Sequence, residues 1–289
     1  MWISTILNRD TITNIKRLRW EGNSYKEIAK KLDISPSSSY KYARNVNMSS
    51  KGKEKLESKV KKTRENFVKR GTKNIKIPKN ITPKLGRFIG HCLFDGSVFK
   101  DGYDYKIAYT NSSKKLVKLF IKDIEKLFNI QPTQFLEIKR KSKSYQVQFF
   151  SKKLWTYLRK FINNYSTSNE NCELNNIIFE QDQEFKKEFL RSFWEDEGCI
   201  SINRTISGSS KNKKIIEQLK ILHLNIGIKT SKWNSKKEYG LLVKIRNKEN
   251  LLKFYQQICP IHAKVTKGPN KNRLKREIFE EIFKKSLPR

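Results

Sequence analysis

The chain is 289 residues long and carries 63 Lys and Arg against 28 Asp and Glu, a net charge of +35 at pH 7. An excess of that size, spread along the whole chain, points to a polyanionic partner, nucleic acid foremost, with a ribosomal or membrane-surface role as the other basic classes. No apolar run approaches the length of a transmembrane helix, Met1-Trp2-Ile3-Ser4 does not open a signal peptide, and Cys92, Cys172, Cys199 and Cys259 form no CxxC pair, which argues against a zinc ribbon and fits reduced thiols in the cytoplasm, with association to the nucleoid.

Residues 1–47 read as an all-α helix-turn-helix domain. Thr11 to Glu21 carries Ile12, Ile15 and Leu18 on one stripe, Gly22-Asn23 turns, and Ser24 caps a helix bearing Tyr25, Ile28, Ala29 and Leu32. Asp33-Ile34-Ser35 turns again, and Pro36 opens a third helix ending near Arg44. The stretch Ser24 to Ser35 is similar to the core of many bacterial and archaeal DNA-binding domains, which would set Ser37, Ser38, Tyr40, Lys41 and Arg44 against the major groove or its phosphates. A small helical module for protein contacts is the competing reading. Residues 48–80 follow as a lysine-rich linker, a solvated helix and then a tether ending at Pro78.

The next helix is predicted from Pro83 to Asp95. Leu85, Phe88, Ile89, Cys92 and Leu93 recur at helical spacing, Thr82 suits the N-cap, Pro83 the first turn, and Gly96 a left-handed position after the helix. Gly86 and Gly90 leave a face without side chains, against which another helix can lie closely. Strands follow. Tyr145, Val147 and Phe149 alternate with Gln146 and Gln148, and the partner strand Glu137 to Lys141 brings Lys139 and Lys141 to one face. Helices are expected over 114–128 and 152–162, and residues 163–182, rich in Asn and Ser, read as a linker.

Beyond that linker the pattern starts again. Phe189 to Gly198 is a second apolar run ending in a carboxylate and glycine, with Ser192 at the place of Gly90. Asp95-Gly96-Ser97-Val98 answers Glu197-Gly198-Cys199-Ile200, Phe128-Asn129-Ile130 answers Leu224-Asn225-Ile226, and Leu154 answers Leu251. One unit has been used twice, in domains spanning 81–165 and 183–289, with the shared repeat covering 82–259 and a C-terminal helix added to the second domain, and the second copy has lost a few residues after its acid. In the second copy Leu241, Val243 and Ile245 alternate with Lys244 and Arg246, helices are expected over 212–224 and 248–258, and an amphipathic run after Pro260 packs on the body.

Two such helices side by side bring Asp95 and Glu197 together at their C-terminal ends. A lone acid before a glycine is usually just a solvated residue. A duplicated pair facing the negative ends of two helix dipoles is unfavourable unless a divalent cation sits between them. Glu195 and Asp196 are rival carboxylates. The offset to Asp95 and the following glycine select Glu197, which leaves the other two as surface charges and His91 as structural.

With that repeat in view, the chain resembles a single-chain LAGLIDADG homing endonuclease of archaeal type, whose nine-residue motif maps onto Phe88 to Gly96 and Leu190 to Gly198. The resemblance implies an α+β fold: two αββαββα repeats about a pseudo-twofold axis, forming saddle-shaped sheets on double-stranded DNA, in a monomer. It implies that Asp95 and Glu197 hold Mg²⁺, or Mn²⁺, at two scissile phosphates across the minor groove. It further implies a basic residue before the helix that follows the second strand, matched by Lys211, whereas the first half has Asn111-Ser112-Ser113 there. The strand faces would carry the DNA contacts: Lys106, Lys139, Lys141, Gln146 and Gln148 in the first repeat, and Arg204, Lys232, Lys244 and Arg246 in the second. A DNA-binding regulator without metal acids and an RNA-binding intron-splicing maturase remain the alternatives.

Overall fold

The computed structural model describes residues 7–72, 75–102, 104–139, 143–201, 205–236, 238–243, 247–266 and 270–286. The chain divides into two compact units, Met1–Lys73 and Asn74–Arg289.

The first unit holds four helices. Helix α1 (Arg9–Trp20) starts on Asn8, whose side chain accepts the Thr11 N–H. Helix α2 (Tyr25–Leu32) opens with a reciprocal capping box between Ser24 and Glu27, and α3 (Pro36–Ala43) starts on Ser35. Ile15, Leu18, Ile28 and Ala43 form the small core. The lysine-rich stretch forms helix α4 (Ser50–Thr72). Its first turn docks on the turn between α1 and α2: Gly22 has a φ of 80°, and a Cβ there would stand 2.0 Å from the Gly52 carbonyl oxygen. Lys59 then pairs with Glu27 at 2.7 Å, holding that carboxyl down at about 2.

The second unit repeats one topology. Helix α5 (Pro83–Leu93) is followed by β1 (Gly96–Asp101), β2 (Asp104–Asn111), α6 (Lys114–Phe128), β3 (Gln134–Lys139), β4 (Lys143–Phe150) and α7 (Lys152–Leu158). After the short α8 (Asn176–Phe179), the same series runs through α9 (Gln183–Asp196), β5 (Gly198–Ser201), β6 (Thr205–Ser210), α10 (Lys213–Asn225), β7 (Ser231–Asn234), β8 (Tyr239–Val243) and α11 (Lys248–Ile258), with α12 (Lys275–Ser286) as an extension. The two antiparallel sheets have matching orders, β1-β2-β4-β3 and β5-β6-β8-β7.

Helices α5 and α9 lie along each other at the centre, and the glycines explain how closely. A Cβ at Gly86 would stand 2.6 Å from the Phe185 carbonyl oxygen, and one at Gly90 would stand 1.8 Å from Ser192 Oγ. Phe88, Ile89, Cys92, Phe189, Leu190 and Phe193 fill the core around this seam.

Two helix ends differ from expectation. Helix α5 stops at Leu93 rather than Asp95, and Gly96 starts β1 without a left-handed backbone; it is glycine because a Cβ would meet the Cys92 carbonyl oxygen at 2.5 Å. Helix α7 ends at Leu158, short of 162. The inter-repeat stretch packs on the body, since Cys172, Leu174 and Ile178 are buried and Asn212 donates to the Asn169 and Cys172 carbonyls.

Candidate functional site

Both repeats turn from their seam helix into their first strand at the same end of the molecule. Asp95 follows the C-cap residue Phe94, and Glu197 is itself the C-cap of α9, its N–H donating to the Phe193 carbonyl at 2.8 Å. Burial, the neighbouring Asp196 and then Glu197 push the Asp95 carboxyl up to about 8. Burial and Asp196 likewise push Glu197 up to about 7. The two acids are thus close enough to repel, as the repeat implied.

The surrounding side chains explain why they are held there. Asn111, at the end of β2, donates from Nδ2 to Asp95 Oδ2 at 2.7 Å and to Asp196 Oδ1 at 3.3 Å, while its Oδ1 accepts the Ser113 N–H. Tyr109, fully buried and stacked on Phe120, donates to Asp196 Oδ1 at 2.7 Å.

Behind the acids sits a buried charge cluster. His91 Nδ1 lies 2.8 Å from Asp196 Oδ2, and His91 Nε2 lies 3.4 Å from Glu195 Oε2, an ion pair without hydrogen-bond geometry. Burial opposes the imidazole's charge, yet the two carboxylates outweigh it and raise His91 to about 10. Burial would raise Glu195, but His91 and the N–H groups of His262 and Ile261 hold it at about 2. Glu195 and Asp196 are therefore not surface charges: the Asp196 side chain is 0% exposed and that of Glu195 1%.

A second cation completes the cluster. Lys275, at the start of α12, is buried and donates from Nζ to the Trp194 and Glu195 carbonyls at 3.1 and 2.6 Å. It acts electrostatically on both Asp95 and Glu197. His91 and Lys275 are thus the basic side chains set among Glu195, Asp196, Asp95 and Glu197 at this end of the helices. Among the described residues no three His, Cys, Asp or Glu side chains gather as a metal-holding group.

Lys211 is exposed at the turn before α10, outside this cluster. Lys275 was missed because it stands after the repeated unit, and Tyr109 because strand alternation alone marks it as core.

The strand register sorts the remaining residues. Lys106, Thr110, Gln146 and Gln148 pair across β2 and β4 on the face turned away from the helices, with Gln134 and Leu136 of β3 in step. On that face Gln148 Nε2 donates to Gln146 Oε1, and Gln146 donates to Thr110 Oγ1 at 2.9 Å. Gln148 is 7% exposed and lies at the face's floor. Lys139 is paired with Lys143 in the ladder between β3 and β4. Lys232 is paired with Leu241, on the core side, and lies 3.5 Å from Glu217 of α10. An edge strand's facing depends on pairing register, which alternation within the strand does not reveal. Lys141, Arg204, Lys244 and Arg246 lie outside the described residues.

In the first unit Ser37, Tyr40, Lys41 and Arg44 are exposed on one stripe of α3 and its C-cap. Ser38 is engaged in the cap of α3, its Oγ 2.9 Å from Ser35 Oγ. Tyr40 packs edge-on against Tyr25. No helix among the described residues is long and apolar enough to cross a membrane.

Comparison with known proteins places these observations. DNA-directed RNA polymerase subunit Rpo1C of Methanocaldococcus jannaschii is 24% identical over 185 residues, 63% of this chain and 20% of that one, so the chain spans about a fifth of that curated relative. The homing endonuclease I-DmoI, in a crystal structure with DNA and Mn, superposes with a TM-score of 0.47 at 19% identity, over 63% of this chain and 99% of that chain. Full-length DUF199/WhiA from Thermatoga maritima superposes with a TM-score of 0.49 at 10% identity, over 74% of this chain and 64% of that chain. Residues 184–259, from α9 through α11, match the LAGLIDADG-like domain, and the two sheets share one strand order.

Proposed function

We propose that this protein is a site-specific, divalent-metal-dependent endonuclease of double-stranded DNA. The observation that carries the reading is the pair Asp95 and Glu197, two largely buried acids brought together at the C-terminal ends of two packed helices. Their hard oxygen donors fit Mg²⁺ or Mn²⁺, and two carboxylates without a third protein ligand leave coordination positions for water and phosphate. When bound, such an ion supplies an activated water and a Lewis acid on the phosphate. The chain's own residues do the rest: Asn111 fixes the Asp95 carboxylate, and Lys275 and His91 moderate the repulsion between the acids.

The net charge of +35 and the polar open face of the first sheet support DNA as substrate, with Lys106, Thr110, Gln146 and Gln148 toward the duplex. The exposed stripe Ser37, Tyr40, Lys41 and Arg44 supports the first unit as a helix-turn-helix that extends recognition as a separate module. Lys211 is exposed and free to approach a phosphate in the second half. The pseudo-twofold repeat within one chain supports action as a monomer.

The test begins with selection of bound sites from a random duplex library. Wild-type protein is expected to cut them with Mg²⁺, and Asp95→Asn and Glu197→Gln to bind without cutting. Binding without cleavage by all three would identify a DNA-binding regulator, and tighter binding to a structured RNA a maturase.

A further inference from the structure

The chain continues past α11, and this continuation folds back onto the acid end. Glu195 Oε1 accepts the N–H groups of Ile261 and His262, both at 3.1 Å. The carbonyl of the same His262 accepts Ser113 Oγ at 2.9 Å, and Ser113 is the N-cap of α6 in the first repeat. The Lys275 N–H donates to the Ala263 carbonyl at 2.9 Å, and its Nζ reaches the Trp194 and Glu195 carbonyls. A short stretch of chain therefore grips the end of α9 through a carboxylate and two carbonyls, and holds the first repeat by a fourth contact.

Packing alone does not explain Lys275. A lysine only 6% exposed gives up its water, and a methionine of similar length would fill the same space without that loss. What the lysine adds is directed donation to two carbonyls at the negative end of a helix dipole, one and two residues before Asp196. Glu197 is the next residue on, so the direction in which its carboxylate leaves α9 is set where Lys275 binds.

We infer that residues 260–266 together with residues 270–275 form a strap that keeps the end of α9 in register with Asp95, and that Lys275 is its positioning residue. The strap lies outside the matched stretch 184–259. Its activity readout rests on the nuclease reading, and its exchange readout does not.

The test compares full-length wild type, Lys275→Met, Lys275→Arg and Ser113→Gly. Lys275→Met is expected to speed amide hydrogen exchange over residues 193–198 about tenfold while β4 and α6 keep their protection. Single-turnover cleavage in Mg²⁺ should fall about 100-fold with DNA affinity in Ca²⁺ unchanged. Lys275→Arg, which can donate to both carbonyls, should restore most of both. Ser113→Gly removes the donor to His262 at little cost to the helix cap and should speed exchange in the same segment by about threefold, which tests the strap even if Lys275→Met does not fold. Unchanged exchange over 193–198 in Ser113→Gly and in Lys275→Met would overturn the strap, as would a loss that Lys275→Arg does not restore. If wild type cuts no duplex, the nuclease reading fails and the exchange data alone decide.

Discussion

His91 and Phe193 occupy equivalent places on the two seam helices, 102 residues apart, and only one of them is polar. His91 faces Asp196 at 2.8 Å, whereas Phe193 faces Phe94, the counterpart of Asp196, with ring centroids 5.1 Å apart. One side of the pseudo-twofold is ionic and the other aromatic. Replacing His91 by Phe leaves Glu195 and Asp196 buried without their cation, and the expected loss is about 3–5 kcal/mol in chemical denaturation. Adding Asp196→Phe should recover part of that loss, since the pair then copies its aromatic counterpart. A double variant no more stable than His91→Phe would contradict this account.

Asp95→Asn should stabilise the fold at pH 8 in the absence of divalent ions. The folded carboxyl is raised to about 8 against an ordinary 3.8, so the folded state favours the protonated form. Stability from this group is therefore greatest at low pH and falls as pH rises between those values. An amide removes that loss, giving about 1–2 kcal/mol at pH 8 and little at pH 4. Thermal unfolding at both pH values checks it.

The raised carboxyls also govern how metal affects stability. Mg²⁺ is expected to raise the melting temperature of wild type more at pH 8 than at pH 5.5, where protons compete for Asp95 and Glu197. The shift should vanish in the double variant Asp95→Asn/Glu197→Gln. An equal shift at both pH values would separate metal binding from these acids.

His223 should make the fold acid-sensitive by the opposite sign. It is fully buried, accepts the Trp194 indole N–H at 2.9 Å through Nε2, and donates from Nδ1 to the Leu219 carbonyl. Burial lowers it from 6.5 to about 4, so the unfolded state binds a proton first as pH falls. Its contribution is complete above 6.5 and is lost as pH falls toward 4, by about 3 kcal/mol. The difference between wild-type and His223→Leu stability, measured across that range, should narrow as pH falls.

Gly86→Ala tests the seam. The added methyl would stand 2.6 Å from the Phe185 carbonyl oxygen, a backbone atom that cannot swing aside. A loss of about 1–3 kcal/mol is expected in urea unfolding. Gly227→Ala has open space around its Cβ, yet its φ of 74° is strained for alanine, so it reports the backbone cost without a clash.

Much of this architecture was legible in residue spacing. The stripes from Leu85 to Leu93, the bare face at Gly86 and Gly90, and the repeat from Asp95 to Glu197 are local patterns, and the seam follows from them. The buried cluster was not legible, because His91 meets Asp196 across 105 residues and nothing in either helix alone marks the pairing. Lys275 lay beyond the repeat, where no second copy could point to it. Lys232 stands in the register of Leu241 because facing on an edge strand is decided by its neighbour's register, not by its own alternation. Gly96 has the composition of a helix stop but serves close packing on the Cys92 carbonyl.

The unlike partners across the seam also constrain ancestry and engineering. Two copies of the first repeat would set His91 against Phe94 and strip the imidazole of both carboxylates. Two copies of the second would press Asp196 onto the ring of Phe193. Neither half can pair with itself without burying a mismatched group, so if the chain were cut between its repeats, the fragments should reassemble only as a heterodimer.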